Sequence, residues 1–303
     1  EMAALPSVCA IVNLRKHAGK LFCQLKELCP QEELFFITTD LCMAHRRIVV
    51  AEITRRIKAG LPCRVVATQC IEAGVDLDFD VMYRALAPLD AIIQAAGRCN
   101  RNGRLTGGGR VIVFEPDEEG RLYPGSPGSK LGNWYENAAV LVKRLCARQP
   151  LNIDSPQHMK EYYQQLFAGQ SDKEALRRAL EREDFAETAK EYELIANKGM
   201  KVIVPIPREV SEKENEAYQE MRKEALSGIT PSLMRKCASL TVTVPLYQQE
   251  KLDYFMERLP YAGKKNLDGA QSDYYVLRRQ YEEYYTKDMG LQLPDEIAGG
   301  GIW

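Results

Sequence analysis

A glutamine, a glycine and two arginines near the middle of the chain have a spacing that suits phosphate chemistry. Gln94, Gly97, Arg98 and Arg101 form the pattern Q-x-x-G-R-x-x-R within QAAGRCNRNGR. Arginine carries a permanent charge on a planar fork that fits phosphate oxygens. Arginines three positions apart share one side of a helical turn, so we predict a polyphosphate contact in which one arginine neutralises charge on a departing phosphoryl group. Taken alone, R-x-x-R is more typical of a solvated basic turn with ion pairs.

A second stretch, TQCIEAGVDLDF, follows a predicted strand and adds further candidates. Thr68 stands where a strand ends, and its hydroxyl could bond a nucleic-acid phosphate or its own backbone. Gly74 permits a tight turn and a close backbone approach. Of Asp76 and Asp78, one could meet a ribose hydroxyl or orient an arginine, while Asp76 could also cap the turn around Gly74. The ordered pair of stretches between Thr68 and Arg104 is more specific than either alone.

Composition limits the classes of protein to consider. The 303 residues carry a net charge of −1, with 45% hydrophobic and 27% charged residues, which is ordinary for a globular protein. This length fits two compact domains, or one large domain with an appendage. Residues 1–115 hold 15 lysines and arginines against 12 acidic residues, and residues 116–303 hold 26 against 30. That asymmetry is too weak to indicate nucleic-acid binding by itself.

Cysteine and histidine usage favours a cytosolic protein without a metal site. The nine cysteines are odd in number and form no C-x-x-C, which indicates reduced thiols. None of the three histidines, His17, His45 and His158, has the spacing of a zinc ligand, so we expect no metal. The sequence contains no apolar run of 18 residues, so we expect no membrane span.

Up to Pro116, short apolar runs alternate with helical patterns. We predict strands at 8–12, 34–38, 63–69, 81–86 and 109–116, and helices at 15–28, 43–60 and 89–98. This alternation is typical of an α/β protein with a parallel sheet covered on both faces. Ligands of such sheets bind at the carboxyl ends of strands, so we expect the arginines there.

The pattern changes after Pro116. A Pro/Gly/Ser loop is followed by helical patterns at 133–197, and a smaller mixed α and β unit begins at Gly199. In that unit we predict strands at 200–207 and 239–247 and helices at 211–226 and 248–259. Five tyrosines near the end either pack this unit or form a base-stacking platform. They are Tyr274, Tyr275, Tyr281, Tyr284 and Tyr285.

The two central stretches resemble motifs V and VI of superfamily 2 helicases. In order and spacing, TQCIEAGVDLDF, YRALAPLDAIIQAAGRCNRNGR and TTDLCMAHRR are similar to the CRISPR-associated helicase–nuclease of type I interference systems. VCAIVNLRKHAGKLFCQLKE resembles motif IV of that family, the strand and helix that open the second RecA-like lobe. The resemblance covers 8–115, and beyond 116 it extends only to the plan of linker helices and a small C-terminal domain.

The resemblance implies a role for each matched residue. Members of the family use ATP and Mg²⁺ to move 3′ to 5′ along single-stranded DNA, which a nuclease domain degrades, and an RNA-guided surveillance complex recruits them. Arg98 and Arg101 would then face ATP, with Gln94, Gly74 and Gly97 near the nucleotide and Asp76 at its ribose or at the interlobe contact. The implied contacts to the DNA backbone are Asn13, Arg15, Thr38 and Thr68. Arg46 and Arg47 either extend that path or expose charge on a helix, and exposure is the favoured interpretation.

Several motifs of such an enzyme are absent from the sequence. It contains no G-x-x-x-x-G-K-[ST], no DExH box and no His-Asp cluster. We therefore expect a prokaryotic, cytoplasmic second lobe (1–118), a loop and helical linker (119–198) and a C-terminal domain (199–303), with the first lobe and nuclease supplied by a larger protein. The chain alone should be inactive. A docking or regulatory module, or a lobe of another superfamily 2 helicase, remains an alternative.

Overall fold

The computed structural model describes residues 1–72, 74–116, 130–150, 152–168, 174–191, 199–245, 249–262 and 271–294. Its first half alternates strands and helices. The elements are β1 (Ser7–Ile11), α1 (Arg15–Lys26), β2 (Leu34–Ile37), α2 (Met43–Lys58), β3 (Cys63–Ala67), β4 (Val81–Ala85), α3 (Leu89–Ala96) and β5 (Arg110–Phe114). The five strands form one parallel sheet in the order β2-β3-β1-β4-β5, which confirms the predicted fold class.

Local sequence explains most of these boundaries. The internal strand β3 is buried along its whole length, as expected for a strand in a sheet covered on both faces. Helix α2 ends before Gly60, whose φ of 66° lies in the left-handed region that a glycine adopts without strain.

The chain divides into two compact units. The first comprises Glu1–Tyr83, Gly97–Ile112 and Gly199–Trp303, and the second comprises Arg84–Ala96 and Val113–Lys198. The predicted C-terminal domain at 199–303 therefore belongs to the same compact unit as the N-terminal part of the sheet.

The second unit is helical and has its own core. It holds α3 together with α4 (Lys130–Arg148), α5 (Pro156–Ala168), α6 (Glu174–Glu181) and α7 (Phe185–Glu191). The wholly buried Arg84 donates from Nη2 to the hydroxyl of Tyr135 at 3.0 Å, and the hydroxyl of Tyr162 accepts from the Leu89 backbone at 3.3 Å. These bonds tie the start of α3 and the strand before it to α4 and α5.

The C-terminal part of the first unit is an α+β arrangement. Its elements are β6 (Gly199–Ile203), α8 (Glu212–Leu226), α9 (Pro231–Cys237), β7 (Thr241–Pro245), α10 (Gln249–Phe255), β8 (Met256–Pro260), β9 (Gln271–Leu277), β10 (Tyr285–Thr286) and β11 (Gly290–Leu291). A four-stranded sheet has the order β7-β6-β9-β8, and β10 and β11 form a separate hairpin.

Two sequence-based expectations for this part have a clear outcome. The helix predicted across 248–259 is wrong beyond Phe255, because Met256–Pro260 forms a strand that pairs antiparallel with β9. Tyr274, Tyr275 and Tyr285 are buried, and Tyr281 and Tyr284 pack against the same core. That burial supports packing rather than a base-stacking platform.

Candidate functional site

The arginine-bearing loop lies beside the amino end of β4. The Phe79 backbone donates to the Arg98 carbonyl at 2.9 Å, and Asn100 donates to the Phe79 carbonyl at 2.8 Å, immediately before β4 begins. Residues 97–109 therefore sit where β4 and β5 start. The expectation that this loop lies at the carboxyl ends of strands is wrong, because its backbone pairs with Phe79 and Asp80, which immediately precede β4.

The side chain of Asp78 holds this loop in place through several hydrogen bonds. Its side chain is buried, and its two carboxylate oxygens accept from the Arg101 backbone at 2.8 Å, from the Asn102 side chain at 3.0 Å and from Arg104 Nε at 3.1 Å. Arg104 Nη2 also donates to the Asp78 carbonyl at 3.0 Å. A carboxylate with this many donors fixes the main chain at Arg101 and so sets the direction of its side chain.

The surroundings of Asp78 favour its ionised form. Burial raises the pKa of the carboxyl, but the Arg101 backbone N–H, the Arg104 side chain and the Asn102 backbone N–H together bring it below its ordinary value of 3.8. The carboxylate is therefore charged at neutral pH, and the loop depends on that charge.

The two motif arginines do not share a helical turn. Helix α3 ends at Ala96, Cys99 forms a bridge with Phe79, and Asn100 has a φ of 46°. The prediction of one common face was wrong because this backbone leaves the helix before the first arginine. The consequence is that Arg98 and Arg101 have different surroundings.

Arg98 is anchored, whereas Arg101 is accessible. Arg98 Nη2 donates to the Glu72 carbonyl at 2.7 Å, which joins the arginine loop to the segment after β3. Arg101 is 41% exposed and its Nη1 lies 3.2 Å from Oδ1 of Asp76, which is 85% exposed. Ion pairs between such exposed groups contribute about 1 kcal/mol or less, so an anion can replace Asp76 at little cost.

The other residues predicted near a nucleotide occupy separate places. Gly74 has a φ of 74°, so its conformation favours glycine, and nothing lies within 4 Å of where a Cβ would stand. Gly97 is exposed in the first unit, and Gln94 is exposed on α3 in the second unit. Their predicted contacts with the nucleotide stay predictions.

Of the four predicted DNA contacts, two are buried side chains. Thr38 is wholly buried, and its hydroxyl donates to Asp40 Oδ2 at 3.2 Å and accepts from the Asp40 backbone at 3.1 Å. Thr68 is also buried, and its hydroxyl lies 3.6 Å from the Cys70 sulfur. Both threonines hold loops at the carboxyl ends of β2 and β3.

The other two predicted DNA contacts lie closer to the surface. Arg15 is the first residue of α1, and its guanidinium is partly exposed and pairs with the carboxylate of Asp40. The Asn13 carbonyl accepts from Gln69 Nε2 at 3.2 Å, which joins the loop before α1 to the loop after β3. Arg15 therefore places a partly exposed cation at this edge of the sheet.

The paired arginines of α2 differ in environment. Arg47 is exposed, as favoured, with Nη2 3.3 Å from the Met43 sulfur. Arg46 is half-buried and lowers the pKa of the Cys70 thiol, although burial raises that pKa overall. The preference for exposure was thus wrong for Arg46, because the helix turns it toward the loop after β3.

Asp78 and Arg104 are the residues whose role sequence reasoning underestimated. The sequence pattern does not distinguish Asp78 from Asp76, and it predicts no role for Arg104. The signal that could have separated the aspartates is their alternation in VDLDFD, because Asp78 stands between the buried Leu77 and Phe79. A carboxylate flanked by core residues needs local donors.

The described ranges bring no three His, Cys, Asp or Glu side chains together in a way that could hold a metal ion. Among those same residues, no helix has the length and hydropathy needed to cross a membrane.

Comparison with known proteins finds relatives for the first third of the chain. Residues 6–104 match the family model described as CRISPR-associated nuclease/helicase Cas3, C-terminal. This part of the chain is therefore similar to the C-terminal part of Cas3. A CRISPR-associated nuclease/helicase Cas3 of Haloferax volcanii is 44% identical over 88 residues, which are 27% of this chain and 9% of that protein. A CRISPR-associated endonuclease/helicase Cas3 of Thermus thermophilus is 50% identical over 40 residues, 13% of this chain and 4% of that protein.

Solved structures share the fold over most of the chain. T. fusca Cas3 with AMPPNP has a TM-score of 0.56 at 15% identity, covering 91% of this chain and 36% of that one. A chain of a CRISPR RNA-guided surveillance complex, pre-nicking, has a TM-score of 0.53 at 17% identity, covering 89% and 37%. The matched part of this chain thus spans about a third of these structures and a tenth or less of the curated Cas3 relatives.

Proposed function

We propose that this chain is the C-terminal half of an ATP-dependent single-stranded DNA translocase and nuclease of CRISPR interference, and that Arg101 is its arginine finger. The observation that carries the proposal is the contrast between Arg101, exposed on a loop fixed by Asp78, and Arg98, which is bonded to the Glu72 carbonyl. A finger must be accessible while its backbone is held.

The chain's own residues suit a polyphosphate. The Arg101 guanidinium pairs with the exposed carboxylate of Asp76, and a triphosphate would compete for it with more charge and more oxygens than one carboxylate offers. ATP would supply the phosphoryl group whose negative charge grows during transfer. Arg101 would stabilise that charge, and Arg98 would keep the loop joined to the segment that bears Asp76.

The remaining parts of the reaction belong to other polypeptide. The sequence has no phosphate loop, so we assign phosphate cradling and Mg²⁺ binding to a first RecA-like lobe. We expect the chain alone to hydrolyse no ATP and cleave no DNA, because a finger without the opposing lobe has no bound nucleotide to act upon.

Single-stranded DNA and the surveillance complex are the proposed partners. Arg15 is the residue we assign to a backbone phosphate, and the burial of Thr38 and Thr68 supports a role in shaping the loops around it. The surveillance-complex structure that shares this fold supports the second partner. Contacts to phosphates alone bind without reading sequence, as a translocating motor requires.

The test is ATP hydrolysis with Mg²⁺ and single-stranded DNA, using this chain mixed with the phosphate-loop half. Arg101→Ala should lower turnover by about 10³-fold or more while association of the halves is unchanged. Arg177→Ala is the matched control, because Arg177 is also exposed and also pairs with one exposed acid, Glu181, at 2.9 Å. Equal turnover with Arg101→Ala would remove the finger assignment. An associated but inactive wild-type mixture would favour the docking module.

A further inference from the structure

The hairpin of residues 285–291, called here the C-terminal hairpin, contacts the lobe at three places around one loop. It contains β10 and β11 and belongs to the first unit together with α1 and α2. The loop that it contacts is residues 38–42, which join β2 to α2 and contain Asp40. No motif in the sequence indicated this docking.

The first contact is made by Tyr285 at the start of α2. Its buried hydroxyl accepts from the Cys42 backbone at 3.0 Å and lies 3.1 Å from Nδ1 of the buried His45. Cys42 is the N-cap of α2 and makes no capping bond with its own side chain, so the tyrosine hydroxyl supplies a polar partner at this helix end.

The second contact is between backbones. The Leu291 N–H donates to the Asp40 carbonyl at 2.9 Å. Gly290 has a φ of 73°, and a Cβ there would overlap the Asp40 carbonyl oxygen and stand 2.6 Å from the carbonyl carbon and 2.8 Å from Leu41 N. Only glycine permits this approach without a shift of the loop.

The third contact anchors the hairpin turn to the other side of the loop. Oδ2 of Asp288 accepts from Lys26 Nζ and from Gln31 Nε2, both at 2.9 Å. The hairpin thus bridges from the end of α1 to the start of α2, with the loop between them.

Asp40 transmits this docking to Arg15. Its carbonyl is held by Leu291, while its carboxylate pairs with Arg15 and accepts from the Thr38 hydroxyl. Burial raises the pKa of Asp40, and Arg15 opposes that rise, so the buried carboxylate depends on this guanidinium. Arg15 also stands in the first turn of α1, where a cation is unfavourable without a nearby anion.

We infer that the C-terminal hairpin positions Arg15 for a DNA phosphate, with Gly290 and Tyr285 as the positioning residues and Asp40 as the link. This inference rests on the proposed DNA contact of Arg15. Fixing the Asp40 main chain fixes the carboxylate that holds the guanidinium at the carboxyl edge of the sheet. The C-terminal hairpin would thereby set how tightly Arg15 binds a phosphate of the DNA backbone.

The experiment measures binding of this chain to a fluorescein-labelled oligothymidylate by anisotropy over a series of salt concentrations. Arg15→Ala should weaken binding several-fold and reduce the slope of log K against log salt by about 0.7, the value for one single-strand phosphate contact. Gly290→Ala should reduce the slope by the same amount, and it should have no further effect in the Arg15→Ala background. Lys236→Ala is the control, because it removes an exposed cation of the same unit that pairs weakly with Glu224 at 3.8 Å.

Tyr285→Phe keeps the buried ring and removes only the hydroxyl, so it tests the same link if Gly290→Ala does not fold. Unchanged affinity and slope for Arg15→Ala would remove the proposed DNA contact and this inference with it. A slope that falls for Arg15→Ala but is unchanged for folded Gly290→Ala or Tyr285→Phe would overturn the hairpin's role alone. The hairpin would then be only a packing element.

Discussion

The carboxylate of the buried Asp78 accepts a hydrogen bond from the backbone N–H of Arg101 at 2.8 Å. This bond fixes the main chain of Arg101, while the arginine side chain is exposed. The same carboxylate bonds Asn102 and Arg104. One buried negative charge therefore fixes a loop that carries several positive ones, and it leaves the side chain of Arg101 available at the surface.

Replacing Asp78 with Asn should destabilise the chain by about 1–3 kcal/mol, because the amide carries no charge and places a donor among donors. Urea unfolding followed by circular dichroism measures this loss. Asp76→Asn is the control and should cost less than about 1 kcal/mol, because its partner Arg101 and the carboxylate itself are exposed. Equal losses for the two variants would contradict the role given to Asp78.

We expect replacement of Arg98 to lower the free energy of unfolding more than replacement of Arg101. Arg98→Ala removes the 2.7 Å bond to the Glu72 carbonyl and should lower the unfolding free energy by about 1–3 kcal/mol. Arg101→Ala should change it by less than about 1 kcal/mol. The comparison is made by urea unfolding of the isolated chain, where neither variant meets nucleotide. A larger loss for Arg101→Ala would show that its side chain is structural.

Gly107 and Gly109, in the arginine-bearing loop, allow a matched comparison of two Gly→Ala substitutions. A Cβ at Gly109 would stand 2.5 Å from the Cys99 sulfur and 2.9 Å from Asn100 Cβ, whereas nothing lies within 4 Å of one at Gly107. Gly109→Ala should therefore displace the loop at Asn100 and lower the thermal midpoint, at a cost of about 1–3 kcal/mol. Gly107→Ala should stay within about 0.5 kcal/mol of wild type. Calorimetry that finds both variants alike would contradict this packing.

We expect the free energy of unfolding to decrease at low pH because of His45. Burial lowers the pKa of this side chain from 6.5 to about 4, while the Lys287 backbone and Asp288 oppose that shift. The unfolded chain then binds a proton that the folded chain does not, so stability declines as pH falls below about 6.5 and levels off below about 4. The full loss is up to about 3 kcal/mol.

The check is the unfolding free energy between pH 7.5 and 5 for wild type and His45→Gln. The variant should be less stable at pH 7.5, because it disturbs the contact with Tyr285, and it should show a flatter pH profile. Asp40, whose pKa burial raises, acts in the opposite direction at the acid end. Parallel profiles for the two proteins would exclude His45 as the titrating group.

Local sequence patterns predicted the secondary structure correctly where apolar runs or a single glycine set the backbone conformation. Apolar runs placed all five parallel strands to within a few residues, and Gly60 marked the end of α2. The same patterns failed at Met256–Pro260, where a helical spacing of apolar residues forms a strand because β9 offers it a partner. They failed again after Ala96, where a bridge between Cys99 and Phe79 ends the helix early.

By itself the sequence determined the order of elements and the fold class, and it carried the resemblance to a family, because hydrophobic periodicity and ordered motifs are local properties of the chain. Only the tertiary structure decided that Asp78 rather than Asp76 carries the arginine loop, that Arg98 is anchored while Arg101 is accessible, and that residues 285–291 reach Asp40. These relationships join residues far apart in sequence. Which donor meets a buried carboxylate, or which glycine lets two backbones touch, depends on packing that no local pattern encodes.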